Sequence, residues 1–265
     1  MTRSWLALWL LAVMSSGHAQ ETAIRLYAAG SLRGAMTEMT QAFTASTGAP
    51  MTSTYGASGL LRERIEQGEI VDVFASADMG NPQALAKAGR AKPPQVFARN
   101  TLCALLAPGV NGDTNDLLDR LLDPKVKVGT STPKSDPSGG YAWQLFEKAD
   151  KIRRGAYETL DAKALKLTGG ANSPAPPPDR SIYAVLIAQR KADIFLTYCT
   201  NALQAVREVP RARLVEVPDA LTVGADYGLS TIGNASPAAD RFAAYVMSPQ
   251  GQAILARHGF TAVRR

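Results

Sequence analysis

Two rhythms of apolar residues follow one another along this chain: short unbroken runs, and runs that repeat at helical spacing. Ile24 to Ser31, reading I-R-L-Y-A-A-G-S, predicts a buried strand that stops at Gly30. Leu32, Met36, Met39 and Phe43 then recur on one helical face until Thr47-Gly48 supplies a stop. Met51 to Tyr55 predicts a second strand, Gly56-Ala57-Ser58-Gly59 a turn, and Leu60, Leu61 and Ile65 a second amphipathic helix that ends near Gly68. A helix through Leu85 and Ala88 follows, then a strand over Val96 to Leu106. Asp113 to Leu122 predicts a short helix, Val126 to Gly129 opens a strand, Thr130 to Gly140 is turn-rich, and Tyr141 to Ala149 is helical. Ser173 to Pro178, S-P-A-P-P-P, reads as rigid and extended, and Asp179 as the cap of a helix through Val185 and Leu186. Strands are expected at Ile194 to Tyr198, Arg213 to Val217 and Tyr227 to Ile232. Ser236-Pro237 and Ser248-Pro249 each begin a helix, the last ending at Gly259. No internal repeat is visible. Strand and helix alternate throughout, which places the chain in the α/β class with mostly parallel sheets flanked by helices.

The junctions carry the first chemical signal. Ser31 stands where a strand ends and a helix begins, and Ser58 repeats the placement one βα unit later. A serine there leaves backbone N–H groups directed outward at the positive end of the helix dipole, an arrangement that holds an anion without a charged side chain. The plainer role is a helix cap. Two such junctions in successive βα units lie at the same edge of a parallel sheet, where ligands of open α/β folds bind. Asp136-Pro137-Ser138 forms a third junction, with proline at a plausible first helical position. Arg180 falls in the predicted first turn of the helix after the prolines, where a cation is unfavourable unless an anion meets it. That anion is either a surface acid or the ligand.

Three motifs stand in order along the chain: Tyr27-Ala28-Ala29-Gly30-Ser31-Leu32, Tyr55-Gly56-Ala57-Ser58-Gly59-Leu60-Leu61 and Asp72-Val73-Phe74-Ala75-Ser76-Ala77-Asp78. In this order they resemble those of the periplasmic molybdate-binding proteins that serve ABC transporters. A weaker match runs on to Phe260. The resemblance implies a two-lobed periplasmic-binding-protein-like fold with a cleft and hinge between lobes formed by residues 22–104 with 224–265 and by residues 105–223. It implies that a Ser138 backbone N–H and the Tyr198 hydroxyl join Ser31 and Ser58 around an oxyanion. The family carries an uncharged residue where this chain has Arg180, so that position is a departure. The metal would arrive as molybdate or tungstate, with no direct protein–metal bond and no cofactor, and would pass to a membrane permease. Sulfate, phosphate or a small organic anion are the alternatives in the same fold.

Met1 to Ala19 has the physics of a secretion signal: Arg3, an apolar core from Trp5 to Met14, and small residues at Gly17 and Ala19 before a cut. Its apolar run falls short of the roughly 18 residues of a membrane span. A soluble, periplasmic mature chain is the expectation. Removing it deletes Arg3 and no acid, so 29 Lys plus Arg fall by one to 28 against 23 Asp plus Glu, a mild excess of about +5. The basic residues are scattered, without interleaved aromatics, which argues against nucleic acid. Cys103 and Cys199 sit in apolar runs in an oxidising compartment, either bonded to each other or as two buried thiols. No Cys-x-x-Cys or His pair suggests zinc.

An enzyme needs a proton carrier beside a nucleophile. After the signal the chain has one histidine, His258, explained as a cation at the end of its last helix. Gly56-Ala57-Ser58-Gly59 is one residue short of a nucleophile elbow, and P-loop and dinucleotide signatures are missing. A secreted serine hydrolase is therefore the cross-class alternative, and a monomeric oxyanion binder the expectation.

Overall fold

The computed structural model describes residues 22–175 and 179–263; residues 1–21, which include the expected secretion signal, 176–178 and 264–265 lie outside the described residues. β1 (Ile24–Ala29) passes through a 3₁₀ turn (Gly30–Leu32) into α1 (Arg33–Thr47). β2 (Met51–Gly56) leads into α2 (Ser58–Glu66), and β3 (Val73–Ser76) into α3 (Gly80–Lys87). β4 (Gln95–Leu106) is followed by α4 (Leu117–Leu122), β5 (Val128–Ser131), α5 (Pro137–Ile152), α6 (Ala156–Lys163) and β6 (Leu165–Thr168). Then come α7 (Ile182–Ala188), β7 (Ile194–Tyr198), α8 (Cys199–Glu208) and β8 (Arg213–Glu216). β9 (Gly224–Thr231), α9 (Pro237–Val246), α10 (Pro249–Arg257) and β10 (Thr261–Ala262) close the chain.

The strands run in the order β2-β1-β3-β9-β4-β7-β5-β6, with β8 and β10 also paired to β4. β1 pairs in parallel with β2 and β3, and β5 with β6 and β7. The pairings of β4 and β9 are antiparallel, so the sheet is mixed: parallel within each set of βα units, antiparallel where the sets meet. β4 changes partner halfway. Its Gln95–Thr101 stretch lies against β9, and from Leu102 onward it lies against β7 and β8. The returning chain crosses at the same level, where Leu102 N–H donates to the Val223 carbonyl at 3.3 Å. Two halves therefore form around two crossing segments.

β1 is an apolar run from Leu26 to Ala29 because both of its faces are covered there, as in parallel strands generally, while Arg25 near its start pairs with Asp72 at 2.9 Å. Leu26 and Ala28 join the main core with Leu32, Met36, Met39 and Phe43 of the following turn and helix. Tyr27 turns the other way and packs with Leu61, Ile65 and Phe74. α1 stops at Gly48, which takes the left-handed conformation (φ 75°) that the αL cap requires. Ser236 and Ser248 cap α9 and α10 through the N–H groups of Ala239 and Gly251, each with proline at the first turn. Phe43 meets Phe242 edge-on at 5.2 Å, which seats α9 on the first half. His258 ends α10 and binds Glu38 of α1 at 2.8 Å.

Five elements went unread in the sequence: β3, α6, β6, α8 and β10. Asp179 does not cap α7; Ser181 does, through Ala184 N–H, while its own N–H donates to Glu208. Arg180 thus precedes the helix rather than lying in its first turn. Cys103 of β4 and Cys199 of α8 are joined by a disulfide, with Cα atoms 4.8 Å apart and 96 residues between them in sequence. It closes one long loop across the second half, beside the crossing. Replacing both cysteines by alanine should lower the unfolding free energy by about 2–4 kcal/mol. Urea titration measures this; alkylation of unreduced protein at two cysteines would contradict the bond.

Candidate functional site

The carboxyl ends of the parallel strands from the two halves face one another across a cleft of about 300 Å³. Ala29–Ser31 after β1, Gly56–Ser58 after β2 and Ala77 after β3 form one wall. Asp136 before α5, the Thr168–Gly170 turn after β6, the start of α7, Tyr198 and Asn201 form the other.

Ser31 lies in the 3₁₀ turn and makes no side-chain cap. Its hydroxyl is 3.0 Å from that of Tyr227, which also receives Asn100 Nδ2 at 3.3 Å. The N–H groups of this first turn lack intrahelical acceptors and border the cleft. Ser58 opens α2, is buried, and accepts the Ala77 N–H at 3.1 Å. That bond uses a lone pair, leaving the hydroxyl hydrogen available to an anion. The plain cap reading does not describe either serine: neither helix start has a side-chain cap bond.

Tyr198 ends β7, fully buried, and its hydroxyl donates to the Ala77 carbonyl across the cleft at 2.9 Å. Burial holds its phenol, and that of Tyr227, well above the ordinary pKa, so both remain neutral. Ser138 sits on the second residue of α5. Its N–H is taken by Asp136 Oδ1 at 3.0 Å, its hydroxyl is buried without a hydrogen-bond partner among the described residues, and it lies behind the wall. Arg180 stands half-exposed at the rim, its guanidinium 3.7 Å from Glu208. Both partners open to it in the sequence are within reach, the acid and the cleft. Arg33 borders the opposite wall, stacked over the Tyr55 ring at 4.7 Å.

A second bond joins the two halves: Gly59 N–H donates to the Ser135 carbonyl at 2.8 Å. A Cβ at Gly59 would lie 2.4 Å from the Lys134 carbonyl oxygen, so only glycine permits this approach. Asp136 is the residue the sequence reading missed. The Asp-Pro pair announces an N-cap, and Asp136 does cap α5; nothing local says that its carboxyl also borders the cleft. Burial, reinforced by Asp78, raises its pKa from 3.8 to about 6 despite the Ser138 and Ser131 hydrogen bonds.

Residues 24–261 match the family described as bacterial extracellular solute-binding protein. The chain belongs to this family. An uncharacterized protein of Pasteurella multocida, PM1146, is 36% identical over 213 residues, covering 78% of this chain and 86% of the relative. The molybdate-binding protein ModA of Mycobacterium bovis is 30% identical over 241 residues, 89% of this chain and 84% of that one. Among solved structures, the sulfate-binding protein SubI from Mycobacterium tuberculosis superposes with a TM-score of 0.75 at 21% identity, over 92% of this chain and 88% of that one. At that identity the likeness concerns the fold alone, and that fold is the same α/β two-half architecture. Members of this family bind solutes rather than transform them.

Because burial favours the neutral acid, the native state holds the Asp136 proton to higher pH than the unfolded chain does. The stability it contributes is full below about pH 3.8 and is lost as pH rises through about 6. Asp136→Asn keeps a capping side chain and removes the titration. Its stability relative to the parent should therefore rise by about 3 kcal/mol between acid and neutral pH. Denaturant titrations of both proteins at the two pH values measure the difference; a constant difference would contradict it.

Proposed function

We propose that this protein is the periplasmic solute-binding component of an ABC importer and that its cleft captures a tetrahedral oxyanion, molybdate or tungstate first. One observation carries the reading. Two strand–serine–helix junctions of one half, Gly30–Ser31 and Gly56–Ser58, border the same cleft with first-turn N–H groups and a free hydroxyl hydrogen. Neutral donors of this kind suit a fully ionised anion. The ModA relative adds support for molybdate, and the sulfate-binding neighbour keeps sulfate as the second candidate.

In this reading residues 22–104 with 224–265 form one lobe and residues 105–223 the other, hinged where β4 and β9 cross. Met1 to Ala19 is removed on export, and the mature protein acts as a monomer. Ser31 and Ser58 hold the anion, Tyr198 acts on closure by spanning to Ala77, and Ser138 supports the wall through Asp136. Arg180 at the rim adds a charged contact in competition with Glu208. The closed protein then docks on the permease.

Calorimetry and thermal shift with molybdate, tungstate, sulfate and phosphate test the reading. At a hundredfold excess over Kd, molybdate or tungstate should stabilise the mature protein by about 2.7 kcal/mol. Tight binding of sulfate alone would replace the molybdate assignment. Ser58→Ala should weaken binding of the anion by about 1.5–3 kcal/mol, the range for a hydrogen bond to a charged group. Unchanged affinity would remove Ser58 from the site.

A further inference from the structure

Asp136 is the one carboxylate among the residues that line the cleft. Backbone holds it on two sides. Its Oδ1 accepts the Ser138 N–H at 3.0 Å, and Gly169, in a left-handed conformation (φ 76°), presses on the rest of the side chain. A Cβ at position 169 would lie 2.6 Å from both Asp136 Cβ and Oδ2. Only a residue without a side chain at position 169 leaves room for this carboxyl beside the turn after β6. The groups around it come from every element packed there: Ser131 of β5, Asp78 of the loop after β3, Tyr183 of α7, Tyr198 of β7 and Tyr227 of β9. The hydroxyls and phenols are neutral, and Asp78 adds negative potential. The two arginines of the cleft, Arg33 and Arg180, stack on Tyr55 and lie against Glu208 respectively.

A doubly charged oxyanion beside an ionised Asp136 would set acceptor against acceptor, with no hydrogen between them. One proton changes this contact into a charge-assisted hydrogen bond. We propose that anion capture in this cleft carries one proton, shared between Asp136 and the bound oxygen. A fully ionised oxyanion binds the neutral acid, which donates to it and has taken its proton from solvent. An oxyanion that brings its own proton, such as a hydrogen phosphate or a phosphate monoester, binds the carboxylate, which accepts. Asp136 is thus a specificity-determining residue that sorts ligands by their protonation. This rests on the cleft being the oxyanion site.

Molybdate and sulfate are both fully ionised near neutral pH, and they serve as the probes. Calorimetry on the mature protein between about pH 6 and pH 8, in two buffers of different ionisation enthalpy, reads the affinity and the protons taken up together. For the anion that binds, the parent should take up close to one proton per ligand at the upper end. Its affinity should fall about tenfold per pH unit there. Asp136→Asn keeps the cap and donates through its amide. It should bind the same anion with pH-independent affinity, more tightly than the parent at the upper end. Uptake of no proton and a flat affinity in the parent would overturn the role of Asp136 while leaving the oxyanion site intact. Failure of both anions to bind the parent at the lower pH would overturn the oxyanion reading and this inference with it.

Discussion

β4 pairs with β9 as far as Thr101 and with β7 from Leu102, so a single strand belongs to both halves of the molecule. Its backbone hydrogen bonds fix how the two sets of parallel strands face each other. The carboxyl ends of β1, β2 and β3 are thereby turned toward those of β5, β6 and β7, and the cleft is what lies between them. Everything local to the site follows from that alignment. The Cys103–Cys199 bond reinforces it one residue from the point where β4 changes partner.

The electrostatics of the cleft divide into layers. The inner surface is built of N–H groups, hydroxyls and phenols whose burial keeps them neutral. Positive charge is confined to the rim, at Arg33 and Arg180, where water screens it. Under the proposed function, such a rim draws anions in from a distance and the inner layer selects among them by hydrogen-bond geometry. Asp136 breaks this pattern, since it places a titratable acceptor among donors.

Local sequence was enough to read β1, α1, β2 and α2, because their apolar spacing and their stops agree with the packing that covers them. It was enough to place Ser31 and Ser58 at one edge, since two successive βα units dictate it. The parallel character of the outer strands was legible too, whereas the antiparallel meeting of β4 and β9 depends on contacts more than a hundred residues apart. α6 and β6 are short and mostly polar on their open sides, so periodicity does not separate them from loop. α8 follows β7 without a break, and its buried face of Thr200, Asn201, Ala202 and Ala205 is made of small and polar residues rather than an apolar stripe. The partners of Tyr198 and Ser31, at separations of 121 and 196 residues, are invisible to any local rule. Asp136 was hidden differently: its capping role fully accounted for its identity, and its second environment was created only by folding.

The bond from Gly59 to Ser135 joins backbone to backbone, and Tyr198 to Ala77 ends on a carbonyl. Gly59 and Ser135 do not line the cleft, so their bond involves no group that borders the captured solute. Whatever free energy this contact contributes to closure is therefore common to every solute that lets the halves meet. It cancels from the ratio of any two affinities. A change at Gly59 should scale the binding of all solutes by one factor and leave their ranking untouched. Overall tightness and discrimination are in this way encoded by separate sets of atoms, and either can drift in evolution while the other is held.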